Sequence, residues 1–475
     1  MYTEVDEETS LLNTLQTLKP TPLPWSQISI VLSLQLIEAI TSQVIFPFAP
    51  QLIRDLGITH GNESQVGYYL GLMQSLFFLT QAIAGLILSR LSDYSGRKPV
   101  ILACLFGVSA SMYWFGLSRT FGGLVLSYSL NGFFNGYPGV NRSILAEITD
   151  TTNIAQAFAI IPIAWFTGVA FASLIGGSLS RPAESFPKIF GSNEFLKNYP
   201  YFLPCAVSAT FTAVVWIVTS IVLKETVQST VPIFKFLRGN TSEVTNGTAS
   251  QQLNAISAPL KAGRPLPLRS LLTPKIIIVV GNFALLALVD VMFRAVQPLF
   301  YSTPIHLGGM GLPPSTIGNI LSVLGFLNGV FQVFFFAKVH DYWGSKKVFM
   351  AGITSAIPVF AAFPLINHLT KTQGLSIAVW IIVAIQVILS IGFGFSYGAI
   401  FIIITAASPN QATLGATNGL GQITAGIIKA IGPAAANSLF SLSIERNYFG
   451  GYLVYYVLVS IVCISVFVGS LLPRH

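Results

Sequence analysis

Four ionisable side chains stand inside long apolar stretches of this chain: Glu38, Asp290, Arg294 and Lys429. A charge in hydrocarbon is costly, so such residues face a partner or a water-filled path. A desolvated carboxylate at Glu38 is suited to loading and releasing a proton; the alternative is a fixed hydrogen bond to a neighbouring helix. Asp290 and Arg294, four apart, share one helix face. They are either a self-neutralising pair or one whose separation exposes Asp290 to protonation. Lys429 can answer Glu38 or Asp290 across a cavity, attract an anionic ligand, or snorkel to an interface. These four are the proton-coupling candidates. Gln35, Asn131, Asn135, Gln297 and Tyr397 are candidates for lining the same cavity, against helix bridging and packing as their other uses. Arg142 and Glu147 close the fourth apolar stretch and read as a charge network at a gate or as interfacial anchors.

The elements that position these residues follow from composition. The chain is 53% hydrophobic and 9% charged, whereas soluble domains carry about 25% Asp, Glu, Lys and Arg. Roughly 20 apolar residues cross a bilayer as a helix. Such stretches occur at 27–51, 66–88, 99–117, 122–146, 155–179 and 201–222, then at 275–299, 316–338, 348–367, 376–404, 412–440 and 450–472. Backbone groups cannot stand unpaired in lipid, so these are helices, and the alternation of a membrane β-barrel is missing. The expected fold is an all-α polytopic membrane protein with 12 transmembrane helices in two six-helix bundles. Its parts are a tail at 1–26, bundles at 27–222 and 275–475, and a polar central linker at 223–274.

Basic residues set the orientation. With the N-terminus in the cytosol, the opposite side holds only Arg54, Arg119, Arg181, Lys188, Lys197, Lys371 and Arg446 of the 25 Lys and Arg. Both termini and the linker are then cytosolic. The net charge of +8 serves topology, and no soluble basic domain supports nucleic-acid binding. The tail has neither the basic start nor the cleavage site of a signal peptide, so the first helix is the expected insertion signal. Cys104, Cys205 and Cys463 fall in spans and read as apolar packing residues. His60, His306, His340, His368 and His475 lie in loops or termini. No metal site, cofactor motif or nucleophile–base pair is legible, and an enzyme is not expected.

A repeat divides the chain. Asp93-Tyr94-Ser95-Gly96-Arg97-Lys98 follows the second span, and Asp341-Tyr342-Trp343-Gly344-Ser345-Lys346 follows the eighth, 248 positions later. Glycine permits a turn that a Cβ would oppose. The acid can cap a helix or pair with a neighbouring Arg, and the bases hold the loop in the cytosol. Asp93, Gly96, Arg97, Lys98, Asp341, Gly344 and Lys346 are therefore gating candidates, with topology alone as the other use. Internal repeats that meet at a ligand site characterise transporters.

These loops resemble the cytosolic signature of the major facilitator superfamily. Further stretches resemble zinc-induced-facilitator-like transporters and their fungal relatives: Arg181-Pro182-Ala183, Tyr199-Pro200-Tyr201-Phe202-Leu203-Pro204-Cys205, Gln297-Pro298-Leu299-Phe300 and Gly415-Ala416-Thr417-Asn418-Gly419. The resemblance runs from about residue 30 to 470 and implies a drug:proton antiporter type. It implies secondary transport of a small organic solute by alternating access, proton-coupled and directed to efflux, by a monomer in lipid. Two positions depart from the family pattern. Tyr128 stands where an Arg linked with coupling is usual, four residues before Gly132, and Ala172-Ser173 replaces a Gly-Pro pair in the fifth span. They keep a facilitative uniporter open, beside a non-transporting membrane sensor. Relatives of this type handle drugs, metal-chelating organic acids and secondary metabolites. Glu7-Glu8-Thr9-Ser10-Leu11-Leu12 fits a sorting signal to a vacuole-like membrane, against the plasma membrane. Of the sequons, Asn62 is on the side where glycosylation occurs, close to the second span, whereas Asn240 and Asn246 are not.

Overall fold

A computed structural model describes residues 21–150, 152–227, 273–407 and 411–472. The sorting signal at Glu7–Leu12, the sequons at Asn240 and Asn246 and most of the linker lie outside the described residues. Within them every regular element is helical. In chain order the helices are α1 (Trp25–Gln43), α2 (Ala49–Asp55), α3 (Val66–Ser95), α4 (Arg97–Leu117), α5 (Phe121–Phe134), α6 (Pro138–Glu147), α7 (Ile154–Ser178) and α8 (Phe202–Val222). The second half holds α9 (Pro274–Ser302), α10 (Pro314–Phe334), α11 (Phe336–Thr354), α12 (Ala356–Gln373), α13 (Ile377–Ala407), α14 (Gln411–Glu445) and α15 (Leu453–Ser470).

Ten segments among the described residues are long and apolar enough to cross a bilayer. The expected first and fourth spans are not among them, and each has a reason. The first is interrupted: α1 carries Gln27, Gln35, Glu38 and Gln43 and ends there, and the chain turns through Pro47 before α2. The fourth is cut between Phe134 and Pro138 into α5 and α6, because proline lacks the N–H the preceding turn would need. Pro162 and Pro433 instead stay inside continuous helices.

The two loop copies share one backbone turn. Gly96 sits at φ 98°, ψ 156° between α3 and α4, and Gly344 at φ 76°, ψ 160° within α11. Only glycine enters that region without strain. The turn at Gly344 separates the end of the eighth span from the start of the ninth, which continues through α12. We call the end of the molecule bearing these loops the motif side.

The halves meet along two seams, α7 on α10 and α3 on α14. At the first, a Cβ on Gly177 would lie 2.7 Å from the Gly318 Cα, so the backbones approach as closely as glycine allows. Four hydrogen bonds join the halves toward the end away from the loops. Arg54 donates to Ser302, and the Tyr68 hydroxyl donates to Glu445 at 3.2 Å. The Ala434 amide donates to Ser75 at 2.9 Å, and Asn437 donates to Gln74 at 3.1 Å.

Candidate functional site

Helix α1 turns Ile37, Ala39 and Ile40 into the core and carries Glu38 buried on the same helix. Gln35, three residues earlier, donates its amide to the Glu38 carboxylate at 2.7 Å. In the other half, α9 carries Asp290. Arg294 Nε donates to one Asp290 oxygen at 2.9 Å, and the Tyr397 hydroxyl of α13 donates to the other at 3.3 Å. Glu38 and Asp290 are each 8% exposed as residues. Two further cations complete this level. Glu38 lies in the fields of Arg142 from α6 and Lys429 from α14. Lys429 lies in those of Asp290, Glu38, Arg142 and Arg294. The register of α14 on α9 fixes this, with Gly421 against Phe283 and Gly432 against Val291. Arg142 keeps solvent-accessible surface although it faces Glu38. Of the four residues singled out in the apolar stretches, Asp290 and Arg294 are in contact, and Glu38 and Lys429 are coupled to each other through their charges across the halves.

The structure divides the remaining candidates. Asn131 and Asn135 have no exposed surface. Asn135 donates to Asn131 and to Thr41, each at 3.0 Å, and Asn131 donates to Ser111 at 3.1 Å. They tie α5 to α1 and α4 and line no open space. Gln297 donates to Tyr301 at 3.2 Å, whose hydroxyl donates to Gln386 at the same distance, which is again a bridge between helices. Gln35 and Tyr397 belong to the charged level through the two carboxylates.

Arg142 and Glu147 do not form one network, contrary to their grouping at a gate. Arg142 is exposed and lies in the field of Glu38, whereas Glu147 accepts from Arg97 at 2.9 Å. Arg97 is the hub of the first loop, donating also to Asp93 at 2.5 Å and Ser92 at 2.6 Å. Glu225, at the start of the linker, accepts the backbone amides of Arg97 and Lys98 at 2.8 and 3.1 Å and so caps α4. The second loop is built otherwise. Asp341 is exposed, with only His340 at 3.5 Å, and Ser345 stands where the first copy has Arg97. Lys346 donates to the Ser470 carbonyl at 2.7 Å and to that of Leu472, closing the end of α15.

A polar cluster at the opposite end escaped sequence reasoning, which read Arg54 and Arg181 as topogenic charges. Arg54 pairs with Glu63 at 2.7 Å, and Arg181 pairs with Asp55 at 2.6 Å and Glu184 at 3.1 Å. The Tyr201 hydroxyl also donates to Asp55, and burial with that carboxylate holds the phenol above its ordinary pKa. The only signal was that acids and bases recur together in these loops. Asn62 uses its side-chain oxygen to accept from Ser64 N at 3.1 Å and Ser64 Oγ at 2.6 Å, which holds the sequon against the start of α3. Cys104 and Cys205 are buried and Cys463 is exposed on α15. Among the described residues no cluster could hold a metal ion.

Of the two departures, Tyr128 is buried and stacks on Phe77 with ring centroids 4.5 Å apart. Ala172 is buried, and Ser173 lies in the α7–α10 seam, where a Cβ on Gly318 would meet its carbonyl at 2.5 Å.

Comparison with known proteins matches residues 31–433 to the Major Facilitator Superfamily. The chain is 27% identical to "Efflux pump azaK" of Aspergillus niger, over 95% of this chain and 88% of that protein. It is also 27% identical to "Protein ZINC INDUCED FACILITATOR-LIKE 1" of Arabidopsis thaliana, over 89% of this chain and 86% of that one. Among solved structures, a bacterial homologue of the human lysosomal transporter Spinster, inward-facing and unoccupied, superposes with a TM-score of 0.67 at 16% identity, covering 95% of this chain and 96% of its own.

Proposed function

This chain belongs to the major facilitator superfamily and is a multi-pass membrane transporter that works by alternating access, and we propose that it moves a small organic solute in exchange for protons, with Glu38 as the principal proton carrier. The observation that carries the reading is the charged level itself. Glu38, Arg142, Asp290, Arg294 and Lys429 come from both halves, and the first four lie within electrostatic range of Lys429, as groups at a ligand site between the repeats of a transporter would. Four hydrogen bonds join the halves toward the end away from the loops, which favours access from the motif side. The basic-residue balance makes that side the cytosol, with both termini there. Efflux is favoured because the relative azaK is named an efflux pump. The membrane is the plasma membrane or a vacuolar one. Asp290, already bound by Arg294 and Tyr397, is the secondary proton candidate. Asp93, Gly96, Arg97 and Lys98, with Asp341, Gly344 and Lys346, form the motif-side gate.

A facilitative uniporter is the second reading, favoured by Tyr128. Its ring fills the position against Phe77 where the family pattern has a coupling Arg. To test both, purified protein is placed in liposomes with a pH-sensitive dye inside, and organic cations, anions and metal chelates are added singly. Substrate-triggered proton movement supports antiport. Labelled solute crossing with no proton movement and no effect of a protonophore promotes the uniporter.

A further inference from the structure

At the charged level, three cations face two carboxylates, and the bonding is unequal. Arg294 is taken by Asp290, whose second oxygen is taken by Tyr397. The Glu38 carboxylate is taken by the Gln35 amide. Among the described residues, Arg142 and Lys429 are left without a hydrogen bond or contact ion pair, and each feels Glu38 only at longer range. Arg142 is exposed and Lys429 half-buried, and a cation in a membrane span without a contact partner faces a water-filled path. The missing anionic charge therefore invites an anion from outside.

We propose that Arg142 and Lys429 together form the recognition site for the acidic group of a small organic anion, a carboxylate or phosphate ester. This rests on the transport reading above and names its substrate class. The placement gives the pair a mechanical sense. Arg142 belongs to α6 in the first half and Lys429 to α14 in the second, and they repel each other at rest. Closing the halves on the motif side brings them nearer. An anion held by both removes that repulsion and so favours the closed state by its own differential binding. Arg142 presents accessible surface, so an arriving anion meets it first. A guanidinium offers a fork to a carboxylate or phosphate, and an ammonium a compact point charge. An organic cation would meet the same surplus as repulsion and would have to displace Gln35 from Glu38.

The test uses full-length purified protein and three probes on one ring: 1-naphthoate, 1-naphthyl phosphate and 1-naphthylmethylammonium. Equilibrium dialysis and thermal shift are measured for wild type, Arg142→Gln, Lys429→Gln and Lys429→Arg, each first shown monodisperse. The expected result is that at least one anion binds wild type more tightly than the ammonium does. Each Gln variant then weakens that binding about tenfold or more, and Lys429→Arg restores most of it. Preference for the ammonium overturns the proposal, as does anion binding unchanged in both Gln variants, or no anion effect on folded wild type. Failures separate cleanly. Anion binding with no flux in liposomes would remove the transport reading and keep the site. Flux of the ammonium without anion binding would remove the site and keep transport.

Discussion

The two halves share a helical plan and a glycine turn, yet they settle their charges at different depths. In the first half the loop is tightly bonded, with Arg97 joined to Asp93, Ser92 and Glu147. Its central carboxylate, Glu38, has one amide in contact and no cation. In the second half the middle is bonded, with Asp290 held by Arg294 and Tyr397. Its loop is loose, for Asp341 is 81% exposed. A repeated backbone turn therefore does not imply repeated chemistry. One carboxylate has a cation from its own helix in contact, and the other has only an amide.

Five substitutions, one of them with a compensating second change, sharpen or break this contrast. The largest effect is expected for Glu38→Gln, which should cut substrate-triggered proton flux to below about a tenth of wild type, as for other intramembrane proton carriers. Asp290→Asn should act on stability instead. It strands Arg294, and the loss of a buried partner costs about 3 kcal/mol, read as a drop in thermal midpoint. Adding Arg294→Gln should return most of that midpoint. At the loops, Arg97→Ala should destabilise by about 2 kcal/mol, because its bonds go to charged acceptors in a half-buried setting. Lys346→Ala should cost about 1 kcal/mol, since it loses bonds to neutral carbonyls only. Smallest is Ser345→Arg, which restores the Arg of the first loop in the second. With only the exposed Asp341 four residues away to receive it, the gain should stay near 0.3 kcal/mol. A larger gain would mean that the second loop holds a partner like Glu147.

Much of this was legible in the sequence, for physical reasons. Apolar runs of bilayer length announce helices, and glycine at Gly96 and Gly344 announces the turn. A charge in such a run, as at Glu38, announces a place with water or a partner. Contacts set by packing were not legible. Arg142 and Glu147 sit five apart on one helix, which puts them on different faces at 3.6 residues per turn, so their sequence neighbourhood misled. Glu147 found Arg97, 50 residues away. Asn131 and Asn135 read as cavity amides because polarity alone cannot distinguish lining from bridging. Their bonds to Ser111 and Thr41 depend on how α5 lies against its neighbours. The polar cluster around Asp55 was hidden likewise, since Arg181 and Tyr201 reach it from a loop more than a hundred positions away.

The most direct test compares the two carboxylates in one experiment. Wild type, Glu38→Gln and Asp290→Asn are reconstituted at equal amounts of folded protein, and proton flux is recorded on adding the solute found by the liposome screen. The account predicts no triggered flux from Glu38→Gln and a clear flux from Asp290→Asn. Full flux from Glu38→Gln would contradict it, and loss confined to Asp290→Asn would move the coupling to the other half.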